Sequence, residues 1–336
     1  MPRPHPLKTG VSYFGNYFLE HFKRDLREMV RGGCNFIVLT FSEQDLQYYP
    51  GTMKDFVKAS HDSGLEVHLD PWGVGRIFGG ESYSEWIAHH PETRQLSVDG
   101  TFLPAACLNH PAFQAFLKRW CDAAFEMSID YFFWDEPHFY IFRDKAEKDL
   151  WSCRCAACRK LFEARFGKPM PKKLTDEVAL FREDSVVRFL KMFCDYTKRE
   201  SFRNAVCLLP HFFSKQALQD WSLVARIKSL DILGTDPYWH LGIKDVEGFV
   251  RPYARKIFQL CQWYGKEGQF WVLNFLIKKG EEKNIEIALE AAYEEGIRNF
   301  AAWSYLGTAQ MSRLKSDEPR QVWKTLSRVY RTFHRR

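Results

Sequence analysis

A (β/α)8 barrel is the fold this sequence predicts, and three observations predict it. Eight short apolar or aromatic runs alternate with longer segments of helical period along 336 residues. Several helical segments end in glycine just before the next run, as in RGGCNFIVLT, HDSGLEVHLD and YEEGIRNFAAWS, which supplies the left-handed cap of an αβ turn. Two long connections interrupt the repeat after the third and fourth runs, and long βα loops build the active face of such barrels. A doubly wound open sheet is the alternative topology.

The elements follow in order. Strand one is expected at Gly10 to Tyr13, with the amphipathic segment Tyr17 to Arg31 behind it. Strand two, Asn35 to Thr40, precedes the helix Met53 to Ser63, and strand three, Glu66 to Asp70, opens an insertion at about 71–110. That insertion contains GVGRIFGG, which lacks the GxGxxG spacing and the helix start of a phosphate loop and is read as a loop shaping a pocket. The helix Pro111 to Met127 leads to strand four, Tyr131 to Trp134, and a second insertion occupies about 137–203. Strand five is Ala205 to Pro210, with the helix Lys215 to Ser229 after it. Strand six is Asp231 to Thr235 and its helix Asp245 to Tyr264; strand seven is Gln269 to Asn274 and its helix Glu282 to Glu295. Strand eight, Asn299 to Ser304, and the helix Glu318 to Phe333 close the chain. No linker or low-complexity stretch divides it, so residues 1–336 are expected to form one barrel domain with elaborated loops.

Composition narrows the function. With 46% apolar and 16% aromatic residues the chain has ample material for a core. A net charge of +6 is spread among 42 acidic residues and only a modest basic tail, VYRTFHRR, so no nucleic-acid partner is expected. The start MPRPHPLKTG has no apolar h-region and no run approaches the roughly 18 apolar residues of a membrane span, which predicts a cytoplasmic protein without a membrane partner. A homo-oligomer is left open.

Nine cysteines without a signal peptide point to reduced thiols or metal ligands rather than disulfides. Cys153, Cys155 and Cys158 form C-x-C-x-x-C, close enough for three thiolates to converge on one ion, and tetrahedral Zn(II) in a structural role is the natural occupant. Cys107, at the end of the first insertion, is the candidate fourth ligand; free or redox thiols are the alternative. The other five, Cys34, Cys121, Cys194, Cys207 and Cys261, read as small buried hydrophobes.

Carboxylates gather at the expected strand ends. Asp70 closes strand three, Asp135 and Glu136 follow strand four, and Asp236 follows strand six. Paired carboxyls are the chemistry of glycoside cleavage, in which one donates a proton to the leaving oxygen and the other attacks or activates water. The aromatics Trp72, Trp134, Tyr238, Trp239, Trp303 and Tyr305 cluster at the same ends, where flat rings stack on the C–H face of a sugar. His138 and Asn274 are candidates to bond its hydroxyls, and Arg76, with Arg143 and Lys278, hints at an acidic sugar. His68, His138, His211 and His240 also lie near strand ends, but no HxH or HExxH spacing favours a catalytic metal. Adjacent residues on an extended strand point to opposite sides, so Asp135 and Glu136 share a face only if the strand has already turned.

Cys107 ahead of Asn109-His110-Pro111, a carboxylate at the end of strand four, and C-x-C-x-x-C followed by Phe162 together resemble the family 42 β-galactosidases of the glycoside hydrolases. The resemblance implies a (β/α)8 barrel, a zinc site made by Cys107, Cys153, Cys155 and Cys158, and Glu136 as general acid/base. It extends to DILGTDPYW at strand six and to Trp303 at strand eight. Two residues depart from the pattern. Asp135 stands where the family has asparagine, and Asn274 stands where strand seven should end in the nucleophilic glutamate. Asp236 is therefore the expected partner of Glu136, ahead of Asp70. The runner-up readings are a sugar-binding barrel that has lost hydrolysis, and a sugar-acid lyase or isomerase on the same fold.

Overall fold

The computed structural model describes residues 6–140, 150–199, 201–210, 218–239 and 242–336. Ten strands occur among them: β1 (Lys8–Tyr13), β2 (Phe36–Thr40), β3 (Glu66–Asp70), β4 (Arg94–Leu96), β5 (Phe102–Ala106), β6 (Tyr131–Asp135), β7 (Arg203–Leu208), β8 (Ile232–Thr235), β9 (Glu267–Leu273) and β10 (Asn299–Trp303). Eight of them close into a barrel in the order β1-β2-β3-β6-β7-β8-β9-β10, and every neighbouring pair is parallel. This is the (β/α)8 barrel expected from the sequence, with all eight barrel strands at the expected places. The remaining two, β4 and β5, pair antiparallel inside the first insertion.

Each barrel strand is buried on both faces, so its residues divide by parity between two cores. Phe36 and Val38 of β2, Tyr131 and Phe133 of β6, Cys207 of β7, Ile232 of β8, Trp271 of β9 and Trp303 of β10 fill the barrel interior. Their neighbours Ile37, Leu39, Phe132, Trp134, Val206, Leu233 and Val272 face the surrounding helices. The helix Leu19–Gly32 shows how those helices are specified. Phe22, Leu26 and Met29 recur at helical spacing on its buried face, and Gly33 ends it with φ at 99°. Elsewhere a side chain starts the helix: Thr175 caps Asp176–Thr197 and Asp245 caps Val246–Tyr264, each accepting a backbone N–H.

The two insertions are structured by different means. The first carries the β4–β5 hairpin and a short helix, Glu85–His89; the second carries the helices Ala156–Phe166 and Asp176–Thr197. Of the segment expected to be helical at 215–229, the described part holds only Ser222–Ala225 as α-helix. Among the described residues, no helix is long and apolar enough to cross a membrane.

Candidate functional site

The carboxyl ends of the barrel strands bring the acids together. On β3, His68 and Asp70 have the same parity; on β6, Tyr131, Phe133 and Asp135 do. Strict alternation would send Glu136 outward. Instead the backbone turns at that residue, with φ at 48°, immediately after its N–H donates to the Cys207 carbonyl at 3.1 Å. The left-handed turn puts the Glu136 carboxyl within hydrogen-bonding reach of Asp236, which follows β8. Both members of the adjacent pair thus serve the same mouth, the condition set by the strand's parity.

Loop 71–90 closes one side. The Gly79 N–H donates to the Asp135 carbonyl at 3.0 Å, and a Cβ built on Gly79 would lie 2.0 Å from Asp135 Oδ2 and 3.3 Å from Glu136 Oε2. Any side chain there would have to displace the Asp135 carboxylate, so the glycine-rich phrase shapes the site by its lack of one. The next acid, Glu81, lies beside the Trp72 indole and acts electrostatically on both Asp70 and Asp135. Nothing in the periodicity of the sequence marks Glu81; its position after GG in a loop that returns to the strand ends is the one available signal.

Burial is the main force on these groups. It raises Asp70 well above the usual carboxylate range, and Asp135, Glu136 and Glu81 push in the same direction. Burial likewise raises Asp135, with Glu136 and Glu81 adding to it. Asp236 is pushed up to about 7 by burial, against a lowering from its hydrogen bond with Glu136. Asp70 is fully buried and neither of its oxygens has a partner, while Asp236 keeps Oδ1 unpartnered. These buried carboxyl oxygens are thus left without a partner among the described residues.

Rings line the approach. Phe14, just past β1, stacks between Trp72 and Trp303, with ring centroids 5.1 Å apart on each side. Tyr238 meets Phe275 edge-on at 5.2 Å and feels the charges of Asp236, Asp135 and Glu136. Other candidates lie elsewhere. Trp134 has the opposite parity to Asp135 and is buried among helix-facing residues, its Nε1 donating to Asn204 Oδ1 at 2.9 Å. Trp239 joins the same outer core. Tyr305 turns away to donate its hydroxyl to Glu28 at 2.9 Å.

The remaining expected residues have structural ties. Arg76 donates from one guanidinium nitrogen to the carbonyls of Gly80 and Ser82 at 3.1 and 2.9 Å, which ties it to loop 71–90. Lys278 lies at the surface, 3.7 Å from Asp317. His138 Nδ1 contacts the Glu136 carbonyl at 2.5 Å, and burial lowers its pKa, which leaves the ring neutral. His68 is stacked inside the barrel between Phe36 and Tyr131, two residues below Asp70. Asn274 is fully buried after β9 and donates Nδ2 to the Ser304 carbonyl at 2.7 Å. Arg143, His211 and His240 lie outside the described residues.

A second site joins the two insertions. The sulfurs of Cys107, Cys153, Cys155 and Cys158 all lie within 4.8 Å of one another and all four residues are buried. Cys107 Sγ is 3.4 Å from Cys158 Sγ and 3.6 Å from Cys155 Sγ. A tetrahedron of Zn–S bonds has edges of about 3.8 Å, so the spacing suits one ion. The sulfurs also accept hydrogen bonds, from Leu96 N to Cys153 at 3.3 Å and from Asn109 Nδ2 to Cys158 at 3.3 Å, as thiolates require. The buried Arg182 guanidinium is close enough to Cys153 and Cys158 to feel their charge. These four cysteines could hold a metal ion. Among the described residues they are the one group of three or more Cys, His, Asp or Glu ligand atoms so gathered.

No protein-family model matches the chain, and no curated protein matches it by sequence. Solved structures do resemble its fold. The catalytic domain of beta-amylase from Paenibacillus polymyxa superposes with a TM-score of 0.67 at 11% identity, covering 96% of this chain and 98% of that one. The endo-1,4-beta-mannanase from Rhizomucor miehei gives 0.62 at 10% identity over 100% and 97%. The endo-beta-1,4-mannanase from Thermotoga petrophila gives 0.59 at 9% identity over 98% and 77%. At such identities the likeness is one of fold, and all three neighbours are glycoside hydrolases built on the barrel.

The buried acids make stability depend on pH with a definite sign. A carboxyl whose folded pKa is raised binds its proton more tightly in the native state, so its contribution is present below the unfolded pKa near 4 and is lost as pH rises through the folded value. Asp70→Asn cannot ionise. It should raise Tm at pH 8, by about 2 °C for each kcal/mol recovered, and leave Tm at pH 4 nearly unchanged. Thermal melts of the two proteins at both pH values check this; a variant less stable than the wild type at pH 8 would contradict it.

Proposed function

We propose that the chain is a glycoside hydrolase, one barrel domain acting in the cytoplasm on a small glycoside or oligosaccharide. The observation that carries this reading is the contact between Glu136 and Asp236, two carboxyls from different strand ends, in a mouth lined by Trp72, Phe14 and Trp303. A pair sharing one proton supplies the protonated and the ionised carboxyl that glycoside cleavage needs. Glu136 donates the proton to the leaving oxygen. Asp236 attacks the anomeric carbon in this reading, because a neighbouring pair lies nearer the roughly 5–5.5 Å spacing of retaining enzymes than the roughly 6.5–9.5 Å of inverting ones. Asp70 and Asp135 bond the sugar hydroxyls, with Trp72, Tyr238 and Trp303 as apolar walls.

One observation favours the non-hydrolytic alternative. The seventh barrel strand ends in Asn274, a fully buried amide tied to Ser304, where the family 42 pattern has its nucleophile. If Asp236 does not take over that role, the barrel binds sugar without cleaving it. The variants below separate the two. For the second site we read the ion as zinc, because four sulfur ligands and no open position suit a structural Zn(II). When bound, it would clamp the two long connections; Cys107, Cys153, Cys155 and Cys158 hold it, and Arg182 offsets the excess negative charge of four thiolates.

Release of sugar from a panel of aryl glycosides should be detected for the wild type and reduced by about two to four decades in Glu136→Gln, with sugar affinity kept. Asp236→Asn should be as damaging. Asn274→Ala should cost stability more than rate, since its amide bonds a backbone carbonyl. Near-normal turnover by Asp236→Asn would defeat the two-carboxylate scheme. The rate should also rise as pH passes about 7, where Asp236, held protonated by burial at lower pH, becomes the ionised nucleophile.

Metal analysis of the purified protein should give about one zinc per chain, and Cys155→Ser should lower both the zinc content and Tm. Protein expressed with zinc available that carries none would refute the assignment.

A further inference from the structure

Aromatic rings also stand outside the mouth, on one side of it. Eight large apolar side chains are exposed among the described residues, and four of them, Tyr17, Phe18, Tyr48 and Tyr83, lie on the connections that leave β1, β2 and β3. These strands are neighbours in the barrel, and the connections leave from the same ends that carry the acids. Tyr17 is three residues past Phe14, the ring stacked on both Trp72 and Trp303. Three residues of chain reach at most about 10 Å.

These rings are held in place by the short helix Glu43–Tyr48. Its Asp45 carboxylate accepts from the Ser42 N–H at 2.8 Å and the Ser42 hydroxyl at 2.7 Å, and it also bonds the Tyr17 hydroxyl. Tyr17 stacks on Tyr49, centroids 4.2 Å apart, and is still 40% exposed. Its Glu43 carboxylate reaches the other way, accepting from Gly75 N at 2.8 Å, Ser84 Oγ at 2.7 Å and Trp86 N at 2.7 Å. Those three bonds fix the loop on which Tyr83 stands, 92% exposed. Two buried carboxylates on one six-residue helix thus hold the Tyr17 ring and fix the backbone that carries Tyr83.

We infer that Tyr17, Tyr48 and Tyr83 form a platform for a carbohydrate chain that continues beyond the mouth, so that the substrate is an oligosaccharide longer than the mouth itself holds. This rests on the reading of the mouth as a sugar site. The chemistry favours sugar over an apolar protein partner. The rings are separated by polar groups, with Asn16 beside Tyr17, Gln47 donating to the Tyr48 hydroxyl at 3.0 Å and Ser82 beside Tyr83. A pyranose offers a C–H face ringed by hydroxyls, which matches isolated rings with polar neighbours; an apolar partner would need one continuous patch. The Tyr17 ring, already held by Tyr49 and Asp45, loses little freedom on binding.

The test is affinity electrophoresis of the full chain carrying Glu136→Gln, which removes the proton donor, through gels containing galactomannan, soluble starch or hydroxyethyl cellulose. At least one polymer should retard it. Adding Tyr17→Ala and Tyr48→Ala should weaken that retardation about tenfold, whereas Tyr17→Phe, which keeps the ring, should retain most of it; thermal melts confirm that the variants fold. Retardation by none of the three polymers, or retardation unchanged in the double alanine variant, overturns the platform. Retardation of the Glu136→Gln protein while the wild type cleaves no glycoside leaves the platform standing and removes the hydrolase reading.

Discussion

The half-turn of backbone at Glu136 is the constraint on which the mouth depends. An L-residue at positive φ costs about 1–2 kcal/mol and persists only where its surroundings hold it. Here they do. The Glu136 N–H is still bonded to β7, its carbonyl is met by the His138 ring, and the Asp135 carbonyl before it is taken by Gly79. Without the turn, Glu136 would point toward the helices and only Asp135 would reach the interior. With it, two consecutive carboxyls gather at the same strand ends and the second of them meets Asp236, which follows β8, one strand beyond β7. Loop 71–90 completes the enclosure, and its glycine permits an approach that any side chain would block.

Much of this was legible in the sequence because it follows from periodicity. Alternating apolar runs and amphipathic segments, punctuated by Gly33, Gly64 and Gly296, place all eight barrel strands, and the acids at the ends of strands three, four and six follow from those boundaries. Strand parity, applied to β6, also assigns Trp134 to the outer core once Asp135 is placed in the interior. What periodicity cannot read is a loop. Glu81 has no repeat around it, and Glu43 and Asp45 look like the solvated first turn of a helix, yet both are buried and hold neighbouring connections. Arg76 belongs to the same loop as Glu81: one of its guanidinium nitrogens donates to two backbone carbonyls there, a tie that no periodicity announces.

The cysteine cluster and the acid cluster divide the labour of the two insertions. Cys107 ends the first insertion, and Cys153, Cys155 and Cys158 belong to the second, so one ion would fix the relative position of both. The same first insertion reaches the mouth through Gly79 and Glu81. The sulfurs and the carboxyls are thus joined through the same insertion.

The central claim is that Glu136 and Asp236 act as a contacting pair, one as acid and the other as nucleophile. The most direct measurement is the anomeric configuration of the sugar first released from a cleaved aryl glycoside, followed by proton NMR before mutarotation. The account predicts the same configuration as the substrate, because displacement by Asp236 and then by water inverts twice. First release of the opposite anomer would mean a single displacement by water, for which the two carboxyls are too close, and would contradict it.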